Sequence, residues 1–219
     1  MRKFAIIGMS SFGFYLTKFL SERNFDVMAV DNEETIIEKV KPFTFKAVIA
    51  DARDKDTLES LGISEFDVVV VSLGGQIDAS ILVTLYLKEL KVKEIIAKAI
   101  TEDHGKILDR IGATTVIFPE KDIAHRVAMR MTSVNILDVI PLSDGISILE
   151  FGPPNEFLGK TIGEIDVRQK YGIQIIVIKE VVPENVVIVP TPEHVIKDSD
   201  ILVGVGKDED FHKLLGIKM

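Results

Sequence analysis

The segment KFAIIGMSSFG, residues 3–13, constrains the fold more than any other part of the chain. Strand-forming residues lead to Gly8, and a helical pattern begins before Gly13. A buried strand that turns tightly into a helix is typical of dinucleotide-binding folds, in which the helix N-terminus faces a pyrophosphate. The G-x-G-x-x-G pattern is incomplete, because Ser10 occupies the place of the second glycine. The segment raises the question of whether a nucleotide is bound, and for what purpose.

Short apolar runs alternate with helical patterns over roughly the first 120 residues. The runs read as strands and are KFAII, DVMAV, KAVIA, DVVVVSL, EIIAKAI and TTVIF. The intervening segments 11–23, 33–40, 54–61, 77–90 and 102–111 are expected to be helices. Several strands are apolar throughout, as expected when helices cover both faces of a sheet. The alternation predicts an α/β fold with a Rossmann-like, doubly wound parallel sheet.

The stretch PEKDIAHRVAMRMTSVNIL, residues 119–137, predicts another helix, because proline suits a first helical turn. Its apolar residues recur at helical spacing and could form a seam. They are Ile123, Val127, Met131 and Val134. Two interpretations stay open: the helix packs only on its own sheet, or the seam joins two subunits.

The pattern changes near Pro141, where turn-forming residues become frequent. Three strands, GIQIIVIKE, NVVIVP and DILVGVG, and two short helices, residues 161–170 and 208–215, are expected after it. We therefore expect two domains: residues 1–140, a nucleotide-binding domain that ends in the candidate dimerisation helix, and residues 141–219, a second, smaller α+β domain.

Composition excludes several classes of protein. The chain has no run of about twenty apolar residues, which a membrane-spanning helix needs. It begins MRKFAIIG without a cleavage-site pattern and has no cysteine, so secretion, disulfides and Cys-based zinc sites are not expected. The net charge of -8 comes without a basic cluster, which disfavours a nucleic-acid partner.

The glycine turn offers specific contacts to a ligand. Gly8 would form the tight turn and Gly13 would let the helix pack on the strand, while Met9, Ser11 and Phe12 complete the segment. The N–H groups at the helix start could receive an anion. Ser10 could either push a diphosphate outward or donate its hydroxyl proton to a phosphate.

Acidic and glycine residues at other strand ends extend the candidate site. Asp31, followed by Asn32, lies where a carboxylate meets the ribose hydroxyls and would repel a 2′-phosphate. It could also cap the next helix, with Glu34 completing a capping box. Asp51, followed by Ala52, could accept from an adenine amino group or simply form a turn. Leu73 and Gly74 follow the fourth strand at the same sheet edge.

Residues for catalysis are not evident. The four histidines have no plausible catalytic partner nearby, and none of the three tyrosines has a lysine four residues later. No Walker lysine, nucleophile elbow or His-Glu-x-x-His motif occurs. We therefore expect a non-enzymatic nucleotide switch, and the alternative is a small NAD(H)-dependent oxidoreductase.

The chain resembles the cytoplasmic regulatory subunits of Trk/Ktr potassium-uptake systems, which are built from RCK (regulator of K+ conductance) domains. The resemblance covers nearly the whole chain in order. The segments that carry it include AIIGMSSFG, AVDNEE, ADARD, DVVVVSLG, HGKILDRIGA, FPEKDIAHRVA, FLGKTIGEIDVRQKYGIQIIVIK and DSDILVGVG.

The resemblance implies dimers assembled into an octameric ring that docks under a membrane potassium channel or transporter subunit and changes shape with the bound adenine nucleotide. It places the chain in the cytoplasm, on the inner face of the membrane through that partner. It also implies nucleotide contacts from six residues: Gly8, Gly13, Asp31, Asp51, Gly74 and Lys98. Glu120 matches an acidic residue near the phosphates, although a first-turn helix acid that favours the dipole is an equally good interpretation.

Two departures distinguish this chain. Family members usually read G-x-G-R-F-G, whereas Ser10 and Ser11 stand here in place of the second glycine and the arginine. That arginine resembles a sensor of the terminal phosphate. Among AMP, ADP, ATP and NAD(H), AMP or ADP is therefore favoured, and a mixed ring with a more typical RCK subunit is a further hypothesis.

The second domain of this family can bind a second effector, in some members cyclic di-AMP. The relevant stretch contains Ile165, Asp166, Val167, Tyr171 and Gly172. No residue pattern establishes such a site, and packing and dimerisation are the preferred interpretation.

Overall fold

The computed structural model describes residues 2–132 and 135–216. These residues form two compact units, which divide between Lys121 and Asp122. The domain boundary that the sequence places between residues 140 and 141 remains a prediction.

The first unit is built on a six-stranded parallel sheet in the order β3-β2-β1-β4-β5-β6. Its strands are β1 (Lys3–Ile7), β2 (Asp26–Asp31), β3 (Lys46–Ile49), β4 (Val68–Val71), β5 (Glu94–Lys98) and β6 (Thr115–Ile117). Its helices are α1 (Ser11–Glu22), α2 (Glu34–Val40), α3 (Lys55–Ser60), α4 (Ile77–Glu89) and α5 (Glu102–Ile111). This strand order is that of doubly wound nucleotide-binding folds, so the predicted fold class is confirmed.

The central strands are buried on both faces of this sheet. In β1, Ala5 and Ile7 pack into one hydrophobic core while Ile6, between them, packs into the other. All four valines of β4 are buried in the same way. Successive side chains of a strand point to opposite faces, so an unbroken apolar run is what a sheet covered by helices on both sides requires. The chain leaves β1 and β4 on opposite sides of the sheet, which opens a crevice at their carboxyl ends.

The second unit contains a five-stranded antiparallel sheet in the order β10-β9-β11-β8-β7. Its strands are β7 (Ile136–Ser143), β8 (Ile146–Phe151), β9 (Gln174–Glu180), β10 (Asn185–Ile188) and β11 (Ile201–Lys207). Its short helices are α7 (Ile162–Ile165), α8 (Val167–Tyr171) and α9 (Asp208–Leu215), and α6 (Pro119–Thr132) runs from the first unit into the second.

Two sequence predictions in this region are wrong. The helix predicted over residues 119–137 ends by Thr132, and Ile136 already begins β7. The stretch near Pro141, where turn-forming residues are frequent, contains the end of β7 and all of β8, two strands that the sequence did not predict and that pair in antiparallel fashion. In β8 the alternate residues Ser147, Leu149 and Phe151 are buried, which is the period-2 pattern of a strand. In the sequence, the helical pattern before β7 and the turn-forming residues around β8 obscured this pattern.

The helix predicted over residues 161–170 is divided in two. Asp166 adopts a left-handed backbone (φ 52°) between α7 and α8. Thr161 and Glu164 form a reciprocal capping box at the start of α7, and Ile165 and Val167 are buried in the second unit's core. These contacts agree with packing as the role of this stretch; binding of a second effector stays untested.

The seam of α6 is exposed where it is described. Ile123, Val127 and Met131 are exposed, whereas Met129 packs against the core of the second unit. Val134, the fourth member of the predicted seam, lies outside the described residues. Within residues 2–132 and 135–216, no helix has the length and apolar character needed to cross a bilayer.

Candidate nucleotide site at the carboxyl edge of the parallel sheet

The turn between β1 and α1 depends on two glycines. Gly8 has a left-handed backbone (φ +89°), and a Cβ added to it would lie 2.5 Å from the Ser72 carbonyl oxygen. A Cβ on Gly13 would lie 2.2 Å from the Gly8 carbonyl oxygen. Neither approach is possible for a residue with a side chain, so both glycines are needed to pack the turn against β4 and the helix against the turn.

Ser10 precedes α1 with an ordinary backbone conformation, φ -54° and ψ 169°. Its hydroxyl shares a 2.6 Å hydrogen bond with that of Ser72, which is fully buried at the end of β4. A serine at this position usually caps the helix, but the Ser10 side chain makes no cap hydrogen bond. The first N–H groups of α1, which have no intrahelical acceptor, therefore do not donate to the oxygen of this hydroxyl.

Asp31 joins the ends of β1 and β2. Its Oδ2 accepts from the Met9 backbone N–H at 2.6 Å, and its Oδ1 accepts from the Glu33 N–H at 3.0 Å. The helix α2 starts at Glu34 with Glu33 as its N-cap residue, so the capping box expected between Asp31 and Glu34 is wrong. An ionised carboxylate has about four acceptor positions, which leaves Asp31 capacity for ribose hydroxyls.

Asp51 and Arg53 form a paired cluster just after β3. The Arg53 Nη2 donates to Asp51 Oδ2 at 2.7 Å, the Arg53 Nε donates to both oxygens at 3.0 and 3.1 Å, and the Arg53 backbone N–H donates to Oδ1 at 3.0 Å. These hydrogen bonds hold the pKa of Asp51 below its ordinary value. Asp51 is thus the turn residue that one interpretation expected; its contact with adenine stays a prediction.

A cavity of about 280 Å³ brings most of these groups together. The predicted residues that line it are Gly8, Met9, Ser10, Asp31, Asn32, Asp51, Ala52, Leu73 and Gly74. Ser11, Phe12 and Gly13, at the start of α1, do not line it. The sequence reasoning missed other lining residues, among them Glu33, Ile36, Arg53, Ser72, Gln76 and Ala79. Position after a strand end could have indicated Arg53 and Ser72, but the helical residues Ile36 and Ala79 carry no such signal.

A second cavity of about 280 Å³ shares Gly74 and Gly75 with the first. Its lining adds Lys98, Ala99, Ile100, Phe118, Glu120 and Lys121. The Lys98 ammonium, whose side chain is 7% exposed, forms an ion pair with Glu120, whose side chain is 69% exposed. The hydrogen bond from Lys98 lowers the pKa of Glu120. The fold thus places these two predicted residues together, beside the first cavity. Across the described part of the chain, no group of three or more acidic or histidine side chains is arranged to hold a metal ion.

Comparison with known proteins gives matches in both units. The TrkA-N domain family matches residues 4–119, and the TrkA-C domain family matches residues 146–217. The chain is 39% identical over 212 residues to the Ktr system potassium uptake protein C of Bacillus subtilis (strain 168), covering 97% of this chain and 95% of that protein. It is 38% identical, with the same coverage, to the Ktr system potassium uptake protein A of that organism.

Solved structures show the same fold. The GsuK channel bound to NAD superimposes with a TM-score of 0.54 at 24% identity, over 98% of this chain and 38% of that chain. The NAD(P)-binding domain of an exopolyphosphatase-related protein from Archaeoglobus fulgidus gives 0.53 at 21% identity, over 60% of this chain and 97% of that chain. At these identities the likeness concerns the fold alone.

Proposed function

We propose that this chain, which belongs to the TrkA-domain family of the Ktr potassium uptake proteins, is a regulatory subunit of a potassium-uptake system controlled by an adenine nucleotide. The family resemblance predicted from the sequence is confirmed by these matches. One structural observation supports the nucleotide: Asp31 and the glycine turn meet at one cavity, at the switch point of the sheet. Ligands of open α/β sheets bind at such points.

The adenosine part of the ligand would occupy the first cavity. Asp31 would accept from the ribose hydroxyls, Asp51 would lie toward the adenine amino group, and the start of α1 would face the phosphate. Lys98 and Glu120 in the second cavity lie where additional ligand groups would extend. The residues proposed to form the site are Gly8, Met9, Ser10, Ser11, Phe12, Gly13, Asp31, Asn32, Asp51, Ala52, Leu73, Gly74, Lys98 and Glu120.

Regulation requires that the nucleotide bind one conformation of the assembly more tightly than another. A ligand between the ends of β1, β2 and β4 would contact three segments whose spacing could change with conformation. We propose that the chain assembles with RCK subunits into dimers and an octameric ring, with residues 1–140 as the nucleotide-binding domain and residues 141–219 as the second. The ring would sit on the inner face of the membrane under a potassium channel or transporter subunit.

The relatives are potassium uptake proteins, which agrees with a role outside catalysis. We propose that the nucleotide is an effector and is not consumed. The alternative, an NAD(H)-dependent oxidoreductase, would be supported by steady oxidation of NADH when carbonyl substrates are added to the purified protein.

Calorimetric titration with AMP, ADP, ATP and NAD+ tests the nucleotide site. We expect binding of at least one adenine nucleotide to the wild type and loss of most of the affinity in Asp31→Ala. Asp109→Ala is the matched control, because it removes an exposed carboxylate from α5 in the same unit and should leave binding intact. If none of the nucleotides binds the wild type, or if both variants bind equally well, the proposed site is wrong.

A further inference from the structure

The lining of the first cavity carries an excess of negative charge. Among the described residues that line it, the charged ones are Asp31, Glu33, Asp51 and Arg53. The single guanidinium in this set already bonds both carboxylate oxygens of Asp51. A cation in such a pair gives little net attraction to an incoming anion, because its field is largely cancelled by its partner. The carboxylates of Asp31 and Glu33 remain, and they disfavour a highly charged ligand.

The cations of the second cavity are paired as well. Lys98 bonds Glu120, and the Lys121 ammonium donates to Glu102 Oε1 at 2.7 Å. A polyphosphate that extended from the first cavity into the second would have to displace Glu120 from Lys98. It would then leave that carboxylate unpaired beside its own negative charge.

The glycine turn restricts the space for a diphosphate. A pyrophosphate approaches the backbone closely only where the residue at this position has no side chain. Ser10 has a side chain, and the hydrogen bond between its hydroxyl and the buried Ser72 hydroxyl holds that side chain in place at the start of α1. It faces the loop after β4, since a Cβ added to Gly74 would lie 3.9 Å from the Ser10 Cβ. The Ser10 side chain therefore narrows the passage between the two strand ends.

One anionic group can still be received at the turn. The Ser10 hydroxyl bonds Ser72 and leaves the first N–H groups of the 12-residue helix α1 uncapped by its side chain. Uncapped N–H groups and the positive end of the helix dipole favour a single phosphate. The geometry thus combines an adenosine-sized cavity, one anion-receiving helix end and acidic surroundings.

We infer that the preferred ligand class is a nucleoside monophosphate, and that Ser10 is the residue that determines this specificity against the triphosphate. The inference rests on the proposed function, because it concerns the same site. AMP places one phosphate at α1, whereas ATP adds two further phosphoryl groups toward the second cavity, where the Lys98 and Lys121 ammonium groups are already paired with carboxylates. Repulsion between charges several ångströms apart near a protein surface, reduced by salt, is expected to weaken ATP binding about tenfold relative to AMP.

Calorimetry in magnesium-free buffer on the full chain tests this inference. The wild type should bind AMP at least about tenfold more tightly than ATP. This ratio of AMP affinity to ATP affinity should shrink as salt screens the repulsion. Ser10→Gly should reduce this affinity ratio by about threefold or more, because it removes the side chain that a diphosphate would meet. The backbone at Ser10 is readily adopted by glycine, so the variant should fold. Ser64→Gly, at an exposed position in the turn before β4, is the matched control and should keep the wild-type ratio.

Two results would overturn the inference alone: ATP binding to the wild type as tightly as AMP, or an unchanged ratio in Ser10→Gly. In either case Asp31→Ala would still abolish binding, and the nucleotide site would stand. If no adenine nucleotide binds the wild type, the proposed function fails and this inference fails with it.

Discussion

The hydroxyl groups of Ser10 and Ser72 lie 2.6 Å apart and join the turn after β1 to the end of β4. The bond crosses the point at which the strand order of the sheet reverses, between β1 and β4. It therefore links the two strand ends beside which a ligand of this fold would bind. Because Ser72 is fully buried, its hydroxyl depends on Ser10 for a partner.

Replacing Ser72 by alanine tests the strength of this bond. We expect a loss of about 0.5–1.5 kcal/mol in the free energy of unfolding, since one hydrogen bond is removed and the half-buried Ser10 hydroxyl can turn to water. Urea denaturation measures the change. Ser60→Ala removes an exposed hydroxyl that donates to the Thr57 carbonyl within α3. That control should change stability less, and equal effects of the two substitutions would contradict the structural role of the pair.

Gly13→Ala should destabilise the first unit. Alanine in a helix is normally more favourable than glycine by about 0.5–1 kcal/mol, but here its Cβ would lie 2.2 Å from the Gly8 carbonyl oxygen. We expect a net loss of about 1–3 kcal/mol from the forced separation of helix and turn. Gly75→Ala is the control, because nothing lies within 4 Å of its added Cβ. A Gly13→Ala protein as stable as wild type in a thermal melt would show that the close packing is wrong.

Acid should remove the contribution of the Lys98–Glu120 pair to stability. The pKa of Glu120 is lowered in the folded state, so its stabilising effect is present above the ordinary value of 4.5 and is lost as pH falls through the lower, folded pKa. Glu120→Gln should therefore be less stable than wild type near neutral pH and should match it in strong acid. The difference should be small, because Glu120 is largely exposed to solvent.

Denaturation of both proteins from neutral to acidic pH measures this effect. A difference that grows as the pH falls would have the wrong sign for a carboxylate stabilised by Lys98. Glu184→Gln, which changes an exposed acid in the second unit, should give no comparable pH-dependent difference.

The β7–β8 hairpin should carry much of the stability of the second unit. Phe151 is fully buried, and its ring packs edge-on against that of Phe211. Phe151→Ala should cost about 3–5 kcal/mol. Ile140→Ala, on the partner strand but half exposed, should cost far less. Comparable losses in chemical denaturation would show that the hairpin does not pack in this register.

The sequence predicted the first unit better than the second for a physical reason. Short apolar runs such as that of β4 are typical of buried strands in a helix-covered sheet, and Gly8 and Gly13 mark the strand-to-helix turn of dinucleotide-binding folds. In the second unit, the segment before β7 has helix-forming residues and the hairpin turn has Ser143, Asp144 and Gly145. Local propensity favoured helix and turn there, and the cross-strand pairing that prevails is a long-range effect.

The site was predictable only in part. Residues at strand ends, such as Asp31 and Gly74, could be assigned to one edge because parallel strands bring their carboxyl ends together. Their hydrogen-bond partners could not be predicted. The pairing of Ser10 with Ser72, and of Asp51 with Arg53, depends on side-chain geometry, which sequence spacing does not specify. The missed lining residues Ile36 and Ala79 lie on helices that reach the cavity only through tertiary packing.

Potassium flux into vesicles that contain the pore subunit tests the central claim most directly. Flux should change when this chain and an adenine nucleotide are added together, and should not respond to the nucleotide with Asp31→Ala in place of the wild type. Asp109→Ala should behave as the wild type. Flux that is indifferent to the nucleotide, although calorimetry shows it bound at Asp31, would contradict the proposal that nucleotide binding to this chain controls transport.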